Sequence, residues 1–259
     1  MGLAYERHGS GPPLVLLHGV GHRRQAWNAV LSRLTPHRDV VLVDLPGHGE
    51  SPPLRPAGRP VLTVLLEAVT GLLDELSLER PHVAGNSLGG RLALEAGLAG
   101  RAATVTALSP AGFWRNRAEI RYGLAVFKLM EVAGARTRRL APALARSTAG
   151  RAVVFGAVVS RPSRLSPEQA LGDMAAFVAA REAVRLVLAG VTGYTGGAPA
   201  GVPVTIGWGT RDRLLLRGQA RVAKARLPEA RLVRLPGCGH VPMTDDPALV
   251  ADVLLRGSA

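Results

Sequence analysis

One cysteine, Cys238, stands in the whole chain. No intrachain disulfide framework can form, so the fold rests on burial and hydrogen bonding, as expected in a reducing compartment. Cys238 itself reads as a small buried thiol rather than a reactive group. Lysine is nearly as scarce, with only Lys128 and Lys224. Acidic residues number 19 against 32 Lys+Arg, a net charge of +13 carried almost wholly by arginine. Arginine abundant together with Ala, Gly, Pro, Leu and Val fits a GC-biased coding background. The other reading is an electropositive surface for anionic substrates, nucleic acid or acidic lipid. No nucleic-acid motif supports a nucleic-acid partner. Residues 1–8 carry no apolar signal core, and no apolar run is long enough to span a bilayer. The expectation is a cytoplasmic protein without stable membrane insertion.

What is present points to a folded domain. The 259 residues, 47% of them apolar, suffice for one large α/β domain or a domain with an insertion. Leu14-Val15-Leu16-Leu17 and Val40-Val41-Leu42-Val43 are continuous apolar runs, the signature of parallel strands buried on both faces. Tyr5–His8 reads as an edge strand. His82–Ala84, Thr104–Leu108, Val202–Trp208 and Arg231–Leu235 read as further strands. Helical patterns cover Trp27–Leu34, Leu62–Leu76, Leu88–Leu98, Leu215–Ala225 and Pro247–Leu255. Strand and helix alternating over short connections predict a mostly parallel sheet with helices on both faces. Such sheets carry their sites beyond the carboxyl ends of the strands.

From residue 112 to residue 198 the texture changes to helical patterns broken by Gly and Pro: Tyr122–Val132, Arg136–Ala145, Ala152–Val159 and Pro167–Leu188. This predicts a helical cap, or lid, over 112–198, inserted in a core made of 1–111 and 199–259. Between Gly112 and Arg164 there are eleven Arg/Lys and two acidic residues, Glu119 and Glu131. A solvated helix face is the plain reading, and a surface meeting acidic substrates or headgroups is the other.

The chemistry gathers on Gly85-Asn86-Ser87-Leu88-Gly89-Gly90, placed between a strand and a helix. A G-x-S-x-G turn there lifts the serine hydroxyl clear of the sheet, so Ser87 is the candidate nucleophile. A serine hydroxyl needs a base, and the base needs an acid that fixes its tautomer. His240 is the only histidine after Ser87, and Asp212 follows a strand between them. Asp245 and Asp246 compete with Asp212 but flank the start of the last helix and are expected to cap it. A developing oxyanion needs donors, and Leu88 N–H at the helix start is one. The second is expected from the loop His18-Gly19-Val20-Gly21, with Val20 N–H chosen ahead of Gly21. His18 and His22 are four apart on a Gly-rich loop, a weak metal pattern. No metal and no cofactor is expected.

These motifs, in this order, resemble the α/β-hydrolase superfamily across nearly the whole chain outside the cap. The resemblance rests on Leu17-His18-Gly19, Asp44-Leu45-Pro46-Gly47-His48-Gly49-Glu50-Ser51, Gly85–Gly90, Trp208-Gly209-Thr210-Arg211-Asp212 and Gly237-Cys238-Gly239-His240. It implies Ser87 as nucleophile, Asp212 as acid and His240 as base, with Val20 and Leu88 as oxyanion donors. It also implies a structural role for the Asp44–Gly49 loop and a role for His18 in ordering the oxyanion loop. Serine at the elbow differs from the branches that use an aspartate nucleophile there, the haloalkane dehalogenases and epoxide hydrolases. The Gly-Asn-Ser-Leu-Gly-Gly form is similar to carboxylesterases and to carbon–carbon bond hydrolases of ring-cleavage products. One departure is that the antiparallel N-terminal part of the sheet is expected to be short.

The expected function is therefore a serine hydrolase that cleaves a carboxylic ester or related small-molecule acyl substrate through an acyl-enzyme. The alternatives are carbon–carbon bond hydrolysis and a non-hydrolytic accessory or binding role. Trp27, Trp114, Val241 and Met243 are the candidate substrate contacts. Phe113, Phe127, Met130, Phe177 and Tyr194 could line an apolar pocket or simply pack helices. A homodimer is left open.

Overall fold

A computed structural model describes residues 2–259. Met1, the first residue of the segment expected over 1–111, lies outside the described residues. The sheet has seven strands: β1 (Tyr5–Gly9), β2 (Pro13–Leu17), β3 (Asp39–Val43), β4 (His82–Asn86), β5 (Thr104–Leu108), β6 (Val204–Gly209) and β7 (Arg231–Leu235). Their order is β1-β3-β2-β4-β5-β6-β7. Only β1 runs antiparallel, pairing Tyr5 with Val43 and Gly9 with Asp39. The antiparallel part at this edge is thus a single short strand, as the sequence suggested.

Each central strand is apolar on both sides because the sheet separates two cores. Val15, Leu17, Val41, Val43, Val83 and Val105 face one cluster. Leu14, Leu16, Val40, Leu42, Ala84 and Leu108 face the other. Successive residues alternate faces, as the two-residue strand period requires. The first face is covered by α2 (Val61–Glu75), α3 (Leu88–Leu98) and, near β6, α9 (Gln219–Arg226). The second is covered by α1 (Asn28–Leu34), which extends a 3₁₀ turn over Arg24–Trp27, and by α10 (Pro242–Asp245) and α11 (Pro247–Gly257). Burying one such Val or Leu contributes about 1.5–3 kcal/mol.

The sequence pattern placed the strands closely and the helix ends less well. The helix expected over 215–225 begins only at Gln219. The residues before it form a turn that feeds Leu214 and Leu215 backbone N–H groups to Asp212. Between β5 and β6 run α4 (Arg117–Thr137), α5 (Ala141–Arg146), α6 (Thr148–Phe155), α7 (Pro167–Ala179) and α8 (Arg181–Ala189). The single helix expected over Pro167–Leu188 is two, breaking at Ala180. Tertiary packing accounts for the break. Ala183, Val184 and Val187 on α8 are buried, and Arg181 and Arg185 both pair with Glu131 of α4 at 2.6 Å.

The chain order positions the site. From β2 it moves outward to β3, then crosses back to β4 on the other side of β2. The loops leaving β2 and β4 in opposite senses open a crevice at their carboxyl ends. His18–Gly21 leaves β2 and Ser87 leaves β4, side by side over that crevice. Among the described residues, no helix is long and apolar enough to cross a membrane.

The turn after β4 closes only with glycine at two positions. A Cβ on Gly85 would run into the Gly89 carbonyl, and one on Gly89 into the Leu17 carbonyl, both backbone atoms. Gly89→Ala should therefore cost about 3 kcal/mol or more. Gly71→Ala, in α2 with open space around it, should stabilise by about 0.5–1 kcal/mol. Urea unfolding of both variants checks the pair; equal small effects would refute the steric account.

Candidate active site

Ser87 sits at φ 55°, ψ −112°, a left-handed conformation that side chains rarely adopt. Its N–H donates to Leu108 O (2.9 Å), and its carbonyl accepts from Arg91 N–H (3.0 Å) and Ala111 N–H (3.1 Å). These bonds over-determine the strained geometry and hold the serine at the first turn of α3. Leu88 is the first residue of that helix, so its N–H has no partner within the helix.

His240 follows β7 and Asp212 follows β6. His240 Nδ1 lies 2.9 Å from Asp212 Oδ2, with both side chains buried. A carboxylate oxygen can only accept, so His240 Nδ1 is the donor of this bond. Asp212 is itself held, because its Oδ1 accepts from Leu214 N–H (3.0 Å) and Leu215 N–H (2.8 Å). The two loops approach closely: Arg211 N–H donates to Cys238 O (2.9 Å), and a Cβ on Gly209 would strike the 238–239 backbone.

The loop after β2 is ordered by two buried histidines. His18 Nδ1–H donates to Gly19 O (2.7 Å), while Nε2 accepts from Leu45 N–H (3.0 Å). His48 Nδ1–H donates to Pro46 O (3.0 Å), while Nε2 accepts from Gly21 N–H (3.0 Å). Gly21 N–H is thus committed to His48. Each ring uses one nitrogen as donor and the other as acceptor, so both are neutral. Burial holds His18 well below the ordinary imidazole value, with His48 adding to it, and burial lowers His48 as well.

Two further residues were not legible as site-forming. Asn86 Nδ2 donates to Leu108 O (3.1 Å) and to His240 O (2.9 Å), tying the histidine loop to the serine turn. Its neighbourhood to Ser87 was the only available signal. Asp245 was expected to cap the last helix. Asp246 does that, accepting from Leu249 N–H (3.1 Å). Asp245 is fully buried instead and accepts from Gly239 N–H (2.7 Å), Ser160 N–H (3.0 Å) and Arg161 N–H (2.5 Å). It joins the histidine loop to the segment between α6 and α7.

Two apolar clefts meet at Ser87. One is lined by Leu88, Trp114, Leu124 and Val187 among others. The other is lined by His240, Val241, Met130, Phe155 and Phe177 among others. Val20, Phe127 and Leu214 border both. Trp114 borders the first cleft and Val241 the second. Trp27 and Met243, expected as substrate contacts, border neither. Both are fully buried in the second core, under α1 and α11, because the segments that carry them pack against the sheet. Phe113 and Tyr194 pack on each other, ring centroids 5.0 Å apart, away from either cleft. Cys238 is a buried core thiol pushed up to about 12 by burial and by Asp245 and Asp246. Among the described residues no group of three or more His, Cys, Asp or Glu could hold a metal ion.

A family model described as the alpha/beta hydrolase family matches residues 14–253. The chain belongs to that family. It is similar to an uncharacterized protein of Mycobacterium tuberculosis (strain H37Rv), 29% identical over 98% of this chain and 77% of the relative. It is also similar to a pimeloyl-[acyl-carrier protein] methyl ester esterase of Aeromonas salmonicida, 40% identical over 98 residues, 38% of this chain and 37% of the relative. Among solved structures it is similar to a membrane phospholipase A described as a bacterial virulence factor, with TM-score 0.76 and 24% identity. That likeness covers 99% of this chain and 83% of the other, and it shows the fold.

The neutral histidines have a consequence for stability. Their folded values lie below the ordinary imidazole value of about 6.5 that the unfolded chain shows. Between those values the unfolded chain binds more protons, so stability falls as pH falls below about 6.5. The melting temperature should drop between pH 7.5 and 5. His48→Gln should start lower but lose less over the same interval; an equal loss in both proteins would remove this origin for the acid sensitivity.

Proposed function

We propose that this alpha/beta hydrolase is a serine hydrolase that cleaves carboxylic esters with an apolar acyl or alcohol part. The observation that carries the reading is Ser87 on a strained strand–helix turn, bordering the same cleft as an imidazole already oriented by a buried aspartate. In this reading His240 Nε2 takes the Ser87 proton as Oγ attacks the carbonyl carbon. The oxyanion is met by Leu88 N–H and Val20 N–H, the former reinforced by the helix N-terminus. The tetrahedral intermediate collapses, the alkoxide leaves with the proton from His240, and an acyl-enzyme remains. Water, deprotonated by the same histidine, then releases the acid. Asp212 stays ionised throughout and steadies the imidazolium.

Further support comes from the cleft walls, which are apolar and suit a neutral acyl chain. Helices α4–α8 supply much of those walls, so the insertion acts as a cap that selects the substrate. The partial match to a methyl ester esterase fits the same chemistry.

Ser87→Ala should lower kcat/KM on short p-nitrophenyl esters by about a thousandfold or more, and Asp212→Asn by a comparable factor. Both should leave the circular dichroism spectrum unchanged. Wild-type turnover by Ser87→Ala would refute the mechanism.

A further inference from the structure

His22 and Asp173 both line the second cleft, together with the apolar Met130, Phe155 and Phe177. Asp173 is buried, with 8% exposure, and its Oδ1 makes no hydrogen bond. Arg23 Nε stands 3.5 Å away, near enough to balance the charge, yet that nitrogen too is buried without a hydrogen bond. His22 Nε2 stands 3.9 Å from Asp173 Oδ2, too far for direct bonding.

The tautomer of His22 follows from its other nitrogen. Nδ1 lies 3.0 Å from Arg23 N–H and accepts from it. The neutral ring therefore carries its proton on Nε2. A donor, Nε2–H, and an acceptor, the Asp173 carboxylate, thus stand almost 4 Å apart on the wall of an apolar cleft. Neither can satisfy the other. A hydroxyl placed between them can do both things at once, accepting from His22 and donating to Asp173. An alkyl chain in the same place leaves the His22 Nε2–H donor and the Asp173 Oδ2 acceptor unmatched, 3.9 Å apart, on the cleft wall. A carboxylate ligand is disfavoured by Asp173 itself.

We propose that His22 and Asp173 form a hydroxyl-recognition site in the second cleft, so that the favoured ester carries a hydroxyl on the chain entering that cleft. The inference rests on the ester-hydrolase reading for its catalytic readout, but the pair is a binding feature and can be tested without turnover.

The catalytic test uses two matched series. In one, p-nitrophenyl esters of four- to ten-carbon acids are compared with their ω-hydroxy counterparts. In the other, hexanoate esters of alkanols are compared with those of the corresponding alkanediols. At one chain length in one series, the hydroxyl should raise kcat/KM by about tenfold or more. In Asp173→Leu, and separately in His22→Phe, that ratio should fall to about one. The ratio is unaffected by a uniform loss of folded enzyme, so a purely structural role for either residue would leave it in place. Independently, calorimetric titration of Ser87→Ala with methyl hexanoate and methyl 6-hydroxyhexanoate, extended over the same chain lengths, should show the same preference. Ser87→Ala/Asp173→Leu should lose it. Hydrolysis of plain esters with no hydroxyl preference at any length overturns the recognition site and leaves the mechanism standing. Absence of Ser87-dependent hydrolysis overturns the mechanism. In that case the titration still decides the site, and equal affinities or no binding of either ester overturns it.

Discussion

The structure depends on one close approach of backbone to backbone. At Gly85 and Gly89 the turn after β4 folds so tightly that its own carbonyls and that of Leu17 occupy the space a Cβ would need. Only this clearance lets α3 start directly behind Ser87. The strain at Ser87 is a consequence of the same approach. It is held by hydrogen bonds from β5 and from the loop that follows it, so the cost falls on a part of the fold that is fully buried and rigid.

Around that turn the remaining loops are fixed by buried polar groups rather than by apolar contacts. His18 and His48 order the loop after β2, Asp44 receives Arg24 and Glu50 backbone N–H groups (2.7 and 3.0 Å), and Asn86 holds His240. Asp245 joins three N–H groups from two segments. Buried loop backbone must find acceptors within the protein. Polar side chains in and beside these loops supply them, which is how irregular backbone can be buried there. The same groups make the region sensitive to acid, since a buried imidazole that accepts a backbone hydrogen bond must give up that bond to be protonated.

The sheet and the order Ser87, Asp212, His240 were legible because both are written in local patterns. Continuous apolar runs mark strands buried on two faces, and Gly-rich turns mark where the chain reverses sharply. What was not legible depends on partners far apart in sequence. Trp27 and Met243 look close to the loops that bear the site, but side-chain direction, not proximity in the chain, sends them into the second core. The break at Ala180 has no Gly or Pro to announce it and follows from burial of α8 and its arginines pairing with Glu131. Asp245 was read as a cap because it precedes a helix. Nothing local says that residues 160 and 161 would arrive with unpaired N–H groups.

The helical insertion carries a different kind of information from the core. Its outer face is rich in arginine and leaves Leu129, Leu140 and Val153 exposed, whereas its inner face supplies Trp114, Phe127, Met130 and Phe177 to the clefts. Phe127 and Met130 come from α4, Phe177 from α7 and Trp114 from the segment before α4, so the periodicity of no one helix reveals the cavity they make together. Helix α7 adds Asp173 to the same wall, a position where an apolar residue would pack at lower cost. The serine turn needs glycine, the histidine needs a carboxylate, and both requirements are met in the core whatever the substrate. In the reading we propose, the attack geometry and the choice of what is attacked are therefore separable: backbone sterics at β4–α3 set the first, and side chains from the insertion, joined to the histidine loop through Asp245, set the second.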